Sequence, residues 1–599
     1  MRSPILIVVW CAFAGFSFLG HAGEDFDAWA SRFAERWVRL HPQAATTQQY
    51  LAPREQERLD RRLAPEGGFG LAWGRSFAGA RASLAREGLS DLDRFSGGSL
   101  TPMQRSSRSI IRWDLEQVLK GERFVRHWHI FNQFMGYQLT SVSFLTASHP
   151  IRNARDVDTY LSRLEQLGAS MDSAIAESKA AARMGVLPPS FILDRMLEQL
   201  DGFLSATPGA NPLVASLRER MERLGGEIAP MKRAEALSTA ERLVTESVLP
   251  AYRRVRALIL DQRPFATDAA GAWRLPDGEA FYIQALEKAT TTRLTPAEIH
   301  QLGLREVARI ETEMDAGLKA LGYGSGSIQE RIEKLNQSLA LPAEPDPRPQ
   351  LLAKVDAAVR DAERRAVSVF DLRPKAPIEV RREPPFSEKS ASAHYTSPAP
   401  DGSSPGIYWL PLADLGPRVM SVGSALRSTV YHEAVPGHHF QIALQQESET
   451  LPRYRKLGVF GSNSAFAEGW ALYAERLADE NGWYDGDPVG RLGYLHAQLF
   501  RARRLVVDTG LHAQKWTRQQ VIDYGMPVSE TERYIVWPGQ ACSYLVGQIR
   551  LVELREKARA ALGAKFSIQA FHNLVLQGGM RPLEVVAEEV DDWIARVSK

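Results

Sequence analysis

Apolar residues recur at three- and four-residue intervals along most of this chain. Over residues 155–185 the positions Val157, Leu161, Leu164, Leu167, Met171 and Ala174 form one helical stripe. Thr101-Pro102-Met103-Gln104 predicts a helix start, with Thr as N-cap, Pro in the first turn and Gln closing a reciprocal cap. Thr295-Pro296-Ala297-Glu298 repeats that logic and predicts a helix running towards Gly322. Breakers divide the periodic stretches. Residues 262–279 hold Pro264, Gly271, Pro276 and an Asp277-Gly278 turn signal, residues 323–326 read Tyr-Gly-Ser-Gly, and 342–349 are proline-rich. Residues 384–406, with five prolines and many serines, read as the strongest loop. Two short β candidates flank it, Ile378-Glu379-Val380 and Ile407-Tyr408-Trp409-Leu410, and are expected to pair as a small sheet. No internal repeat of fixed period is present. The pattern therefore predicts a mainly α protein with a small sheet before residue 430.

The first 22 residues stand apart. Arg2 precedes an apolar run from Ile5 to Leu19, too short to span a bilayer comfortably. Gly20-His21-Ala22 places small residues where a signal peptidase needs them, so residues 1–22 read as a signal peptide. An uncleaved anchor is the alternative reading. Cys11 follows Trp10, where a lipoprotein signal wants a small residue, which argues against a lipid anchor. The expected address is the periplasm or the extracellular space, with no membrane span after cleavage. Cleavage would leave Cys542 as the one cysteine, read as a small buried hydrophobe rather than a nucleophile.

Composition narrows the class further. The chain has 599 residues, is 44% hydrophobic and 24% charged, and has a net charge of +2. This is globular composition, and near-neutral charge removes the electrostatic case for a nucleic-acid partner. Length allows roughly four domain-sized units or one large helical body.

The chemistry concentrates in Tyr-His-Glu-Ala-Val-Pro-Gly-His-His-Phe-Gln, residues 431–441. Neutral imidazoles bind zinc, and a neighbouring Glu acts on metal-activated water. In a His-Glu-x-x-His helix the two histidines lie four apart on one face. Here His432 and His438 lie six apart, which on a regular helix is about 120° off the first face. His439 returns to that face but about 10.5 Å along the axis. Pro436 cannot donate to the His432 carbonyl and Gly437 tolerates unusual backbone angles, so a bulge of about two residues is expected to bring His438 beside His432. His439 ranks second, because it would need a larger bulge. A catalytic site needs a third protein ligand and an open position. Glu468, in an apolar helical context at residues 464–480, is the candidate, since a buried carboxylate needs a partner. Glu475 lies two turns further on the same face. It is read as a solvated acid, or else as a support behind a ligand.

The chain resembles a large bacterial family long catalogued as a domain of unknown function, whose members look like relatives of gluzincin metallopeptidases of the thimet-oligopeptidase and angiotensin-converting-enzyme type. His432-Glu433-Ala434-Val435-Pro436-Gly437-His438-His439-Phe440-Gln441 resembles the family's core signature, and Phe466-Ala467-Glu468-Gly469-Trp470-Ala471 a second one. Similarity extends to 291–300, to Asp508-Thr509-Gly510-Leu511-His512 and to Pro538-Gly539-Gln540-Ala541-Cys542-Ser543-Tyr544. The resemblance implies a helical, two-lobed metallopeptidase-like fold with a central channel. It implies an N-terminal helical lobe over 23–290 and a zinc-binding catalytic lobe over 291–599, the two forming one continuous fold. It implies one zinc ion on His432, His438 and Glu468, Glu433 as general base, and His439 as a support or substrate contact.

The expected reaction is hydrolysis of a peptide substrate, with Glu433 moving the water's proton to the leaving amine. A second donor to the developing oxyanion is usual. Tyr544 is the first candidate, with His512 and Tyr534 behind it. Arg533 and Arg550 lie near the same segment and are read first as surface residues. A bidentate grip on a peptide's terminal carboxylate is the alternative, and the 407–410 strand offers an edge for substrate backbone. Other readings keep the metal and change the role: an amidase or esterase on a small or cell-wall-derived substrate, or a noncatalytic metal-dependent peptide binder. The donor set also admits iron or manganese.

Overall fold

The computed structural model describes residues 25–65, 74–95, 100–339, 346–384, 388, 391–399, 404–412 and 426–599. The signal-peptide reading of 1–22 and the reading of Cys11 lie outside them.

Helices carry the fold. The stripe read over 155–185 is a helix from Ala154 to Arg183, with Val157, Leu164, Leu167, Met171 and Ala174 buried along it. Both expected capping boxes form, at Thr101/Gln104 and Thr295/Glu298, and the second helix ends at Ala320 before Gly322 turns into the left-handed region at φ +88°. No helix among the described residues is long and apolar enough to cross a membrane.

One small sheet interrupts the helices. β1 (Ile378–Arg382) runs parallel to β3 (Gly406–Leu410), in the register Ile378 to Gly406 through Arg382 to Leu410. β2 (His394–Thr396) pairs antiparallel with β3, so the strand order is β1-β3-β2. The two expected strands therefore pair. The third, β2, arises inside the segment read as loop, because three residues are too few to show an alternating pattern among prolines and serines.

The core joins the two ends of the chain. Phe26, Trp29 and Phe33 share one apolar cluster with Phe460 and Val585. Tyr160 and Leu164 share another with Leu511, Tyr534 and Val536. At the centre the helix Ser464–Glu480 packs against the helix Gln540–Leu562. Gly469 and Gly547 face each other there so closely that a Cβ on Gly547 would stand 2.1 Å from the Ala465 carbonyl oxygen. Cross-helix hydrogen bonds fix a parallel register. Gln540 donates to Ser464 Oγ at 3.0 Å and Gln548 donates to the Leu472 carbonyl at 2.7 Å. Both pairs share the same sequence offset, and that offset sets Tyr544 level with Glu468.

Burial also shapes the response to pH. His41, His149 and His572 are held neutral, their pKa lowered to about 3, and His512 to about 4, by loss of water. The unfolded chain binds those protons near pH 6.5, so stability is present above that pH and is lost as pH falls towards the folded values. Asp114 and Asp508 oppose this, since burial raises each to about 7 and the folded state keeps their protons through part of the same window. Across these six groups the unfolded chain takes up about two more protons, or about 3 kcal/mol per pH unit, and His129 and His439, lowered to about 3 and about 4, act in the same direction. Over two to three units that is comparable to a whole domain's stability. Cooperative acid unfolding between pH 6 and 4 is the expected result, measured as melting temperature against pH. A melting temperature flat across that range would show that these histidines are not held neutral.

Candidate metal centre

The His432 segment is not a bulged helix. Residues 426–429 are helical and lead into a wider π-helical turn at Val430–Ala434. Val435 is then extended at φ −120°, ψ 122°, the Val435–Pro436 bond is cis, and a new helix runs from His438 to Glu447. The expected two-residue bulge is thus a full break, for the reason proline gives: it offers no N–H to continue the first helix. The outcome the bulge was meant to explain still holds, because the His432 and His438 rings lie 4.9 Å apart, nearly perpendicular.

Gly437 makes the break possible. A Cβ there would stand 1.8 Å from the His432 carbonyl oxygen and 2.4 Å from that of Tyr431. Trp470 closes it from the neighbouring helix, its indole N–H donating to the Pro436 carbonyl at 2.9 Å. Gly437→Ala is expected to push the two histidines apart, destabilise the fold by roughly 3 kcal/mol or more as overpacking against backbone does, and abolish metal uptake. A thermal melt with a metal titration checks this. A variant with native stability and native metal affinity would show that the segment has room it does not need.

Three side chains converge. Glu468, on the Ser464–Glu480 helix capped by Asn463, places Oε2 3.4 Å from His432 Nε2 and 3.4 Å from His438 Nε2. The three ligand atoms all lie within 4.8 Å of one another. Glu468 Oε2 is buried without a hydrogen-bond partner among the described residues. Two bonds of about 2.1 Å at a tetrahedral angle would put their donor atoms about 3.4 Å apart. The residues therefore fit a first-row metal ion.

Glu475 stands behind this trio. It is 1% exposed and accepts from His432 Nδ1 at 2.7 Å, Ser428 Oγ at 2.7 Å and Gln498 Nε2 at 3.3 Å, with Arg501 at 3.9 Å. The solvated-acid reading is thus corrected. Its helix is buried on most sides, so a face two turns from Glu468 meets protein rather than water. The bond to Nδ1 fixes the His432 tautomer and turns the Nε2 lone pair towards Glu468.

The electrostatics call for positive charge at the centre. Burial opposes charge on His432, but Glu468 and Glu475 outweigh it and push the imidazole up to about 10. Burial likewise opposes charge on Glu468, yet the two histidines hold it well below the usual carboxylate range. A bound cation supplies the same charge without a proton. Glu433, next to His432 and buried, has its pKa raised by burial, with His432, His438 and Glu468 close enough to act on it.

Other residues read from the sequence fall elsewhere. His439 points to the sheet, where its Nδ1 lies 3.0 Å from the Tyr395 hydroxyl of β2, and it is not one of the converging groups. His512 is not a free donor. Its Nδ1 accepts from the Ala272 N–H at 2.9 Å and its Nε2 bonds the Tyr534 carbonyl at 3.1 Å, so backbone takes both nitrogens. Tyr534 is equally occupied, its hydroxyl donating to Glu530 at 2.7 Å and accepting from Arg504 at 3.0 Å. Tyr544 is half-buried, its ring under the Arg504 guanidinium at 4.6 Å. Arg550 is a surface residue paired with Glu553 at 3.2 Å. Arg533 is not, being 12% exposed and bound to Glu530 and Gln540. β3 offers no free edge, since β1 and β2 take both sides of it, and the edge nearest the motif belongs to β2. Cys542 is buried as expected, its thiol pushed well above the usual range by burial and by Asp508.

Sequence reading missed Ser428, Gln498, Arg501 and Tyr395. Tyr408 of β3 joins them, a fully buried hydroxyl with no hydrogen-bond partner among the described residues that faces the field of Glu433. None of these contacts is local, so no spacing in the chain announces them.

Comparison with known proteins places the chain by family. Residues 72–590 match the model of a family described as bacterial protein of unknown function, DUF885. The chain belongs to that family. Its fold is shared with a crystal structure from Colwellia psychrerythraea, of a protein provisionally described as a lipoprotein: 29% identity over 96% of this chain and 100% of that one, TM-score 0.86. A second structure, from Shewanella oneidensis, likewise provisionally described as a lipoprotein and of unknown function, aligns at 18% identity over 94% and 99% of the two chains with TM-score 0.70. No curated protein matches the chain.

Proposed function

We propose that this member of the DUF885 family is an exported, zinc-dependent metallopeptidase of the gluzincin type. One observation carries the reading: His432, His438 and Glu468 converge on a point beside the buried carboxyl of Glu433, with Glu475 orienting His432 from behind. Zinc, when held by that trio, supplies Lewis-acid polarisation of a water and of the scissile carbonyl. Glu433 takes the water's proton on its carboxylate and hands it to the departing amine nitrogen. Its raised pKa brings it closer to the operating pH, where general acid–base exchange works best. Glu475 keeps the proton on His432 Nδ1. Tyr544 is our candidate for the oxyanion donor, a reading supported by a helix register that sets it level with Glu468. A pure binding protein needs the three donors but has no use for a fourth, buried carboxylate beside them, and that favours catalysis. Export rests on the n-region, apolar run and Gly20-His21-Ala22 of the leader, and the description of the two structural relatives as lipoproteins agrees with a life beyond the inner membrane.

The test is a peptide library offered to the zinc-loaded protein and to its metal-stripped form, read by mass spectrometry. Cleavage that needs metal is the expected result. Hydrolysis of small esters or amides with no peptide cleaved would reassign the bond. No metal-dependent hydrolysis of any of these would remove the enzyme reading.

A further inference from the structure

One cluster near the centre has more positive charge than its surroundings balance. Glu530 is a single carboxylate shared by two guanidiniums: Arg504 donates to it at 2.9 Å and Arg533 at 3.2 Å. The Tyr534 hydroxyl adds a third donor to the same oxygen. The other acids close by are engaged elsewhere. Asp508 accepts from the Tyr282 hydroxyl and the Gly539 N–H, and Glu532 pairs with Arg195 and Arg518. Arg504 is 7% exposed and Arg533 12%, so the surplus charge sits where little water screens it. A desolvated cation without its own counter-ion is costly unless an anion arrives. Arg533 Nε is buried with no hydrogen-bond partner among the described residues. Phe134 and Trp537 stand around the same guanidinium, at 5.5 and 5.7 Å.

The cluster is tied to the metal centre. Arg533 donates to Gln540 Oε1 at 2.5 Å, and Gln540 donates to Ser464 Oγ at 3.0 Å. Ser464 lies one helical turn before Glu468 on the same helix and the same face, about 6 Å along the axis. Tyr544, one turn beyond Gln540, fills the step between, with Arg504 over its ring. An anion on Arg533 would therefore lie across Gln540 and Ser464, and one further helical turn, from the metal ligands. The path is two hydrogen bonds of 2.5 and 3.0 Å through the Gln540 amide plus that turn, so with successive Cα atoms about 3.8 Å apart the gap holds a few residues.

We infer that Arg533, backed by Arg504, receives the free C-terminal carboxylate of a peptide whose scissile bond lies a few residues upstream. This rests on the metallopeptidase reading and gives it a substrate class: short peptides, or chain ends, trimmed from the C-terminal side. A planar guanidinium with spare N–H groups suits a carboxylate by bidentate contact, and the aromatic rim suits an apolar terminal side chain.

The test measures binding, apart from turnover. Matched peptides ending in a free acid or an amide are titrated calorimetrically into the full-length zinc-loaded Glu433→Gln protein, in which cleavage is blocked. The acid is expected to bind about 10- to 100-fold more tightly, the usual range for losing a hydrogen bond to a charged group. That preference is expected to vanish in the Glu433→Gln/Arg533→Gln double variant and to return in part with Arg533→Lys. With the wild-type enzyme, the released products are expected to be short fragments of uniform length, a few residues, from the C-terminus. Because Arg533 also braces Gln540, the acid–amide comparison on the unaltered Arg533 protein decides independently of any folding defect. Equal binding of acid and amide, with peptides still bound, would overturn the carboxylate site and leave the peptidase reading standing. Binding of neither form would overturn both.

Discussion

Glu433→Gln is expected to lower the rate of peptide hydrolysis by about 10²- to 10⁴-fold, the range for removal of a positioned general base, while the protein keeps its metal. Glutamine fills the same buried slot but accepts no proton at neutral pH. Glu433 is not one of the three converging ligands, so the donor set survives the change. The measurement is kcat/KM beside metal content per chain by elemental mass spectrometry. The wild-type pH profile carries the same signature. The base works deprotonated, so activity rises with pH through its pKa, and burial sets that limb above the ordinary carboxylate value of 4.5. Turnover left intact with zinc bound would place the base elsewhere.

The second large effect concerns the metal itself. The wild-type protein is expected to hold about one zinc per chain and His438→Ala none that survives dialysis. Removing one of three protein donors leaves two, and Glu468 is then left with a single imidazole in a site that strips water from it. Two companions sharpen the result. Glu475→Gln is expected to weaken affinity about 10- to 100-fold without abolishing it, as loss of an outer partner does. His439→Ala is expected to keep the metal, since His439 turns to Tyr395. Zinc retained by His438→Ala and lost by His439→Ala would reverse the assignment.

The expectations that held are those built on nearby residues. The capping boxes at Thr101 and Thr295, the 154–183 helix and the pairing of 378–382 with 406–410 follow from spacings within a few residues or from β-rich runs of ordinary length. The ones that failed turned on burial. Glu475 looked like a surface acid because its own helix offers no partner; the partner, His432, is 43 residues away in sequence. His512 and Tyr534 looked like free donors because nothing local marks them as bonded to backbone or to Arg504. Arg533 looked like a surface arginine, although it is held between Glu530 and Gln540.

The chain alone determined a mainly helical body, a small sheet before residue 430, and the residue types that can bind a metal: two histidines flanking a Pro-Gly break, a Glu beside the first and another in a buried helix. These are properties of local propensity and side-chain chemistry, which any contiguous stretch displays. Only the tertiary structure decided how the break is made, that Glu475 rather than water orients His432, that Tyr544 stands level with Glu468, and that Arg533 faces inward. The Glu475–His432 bond and the alignment of Tyr544 with Glu468 join segments tens of residues apart, and the burial of Arg533 is set by how its helix packs rather than by its near neighbours Glu530 and Gln540. Periodicity is set by the backbone a residue belongs to, whereas a side chain's partner is set by whichever helix packs against it.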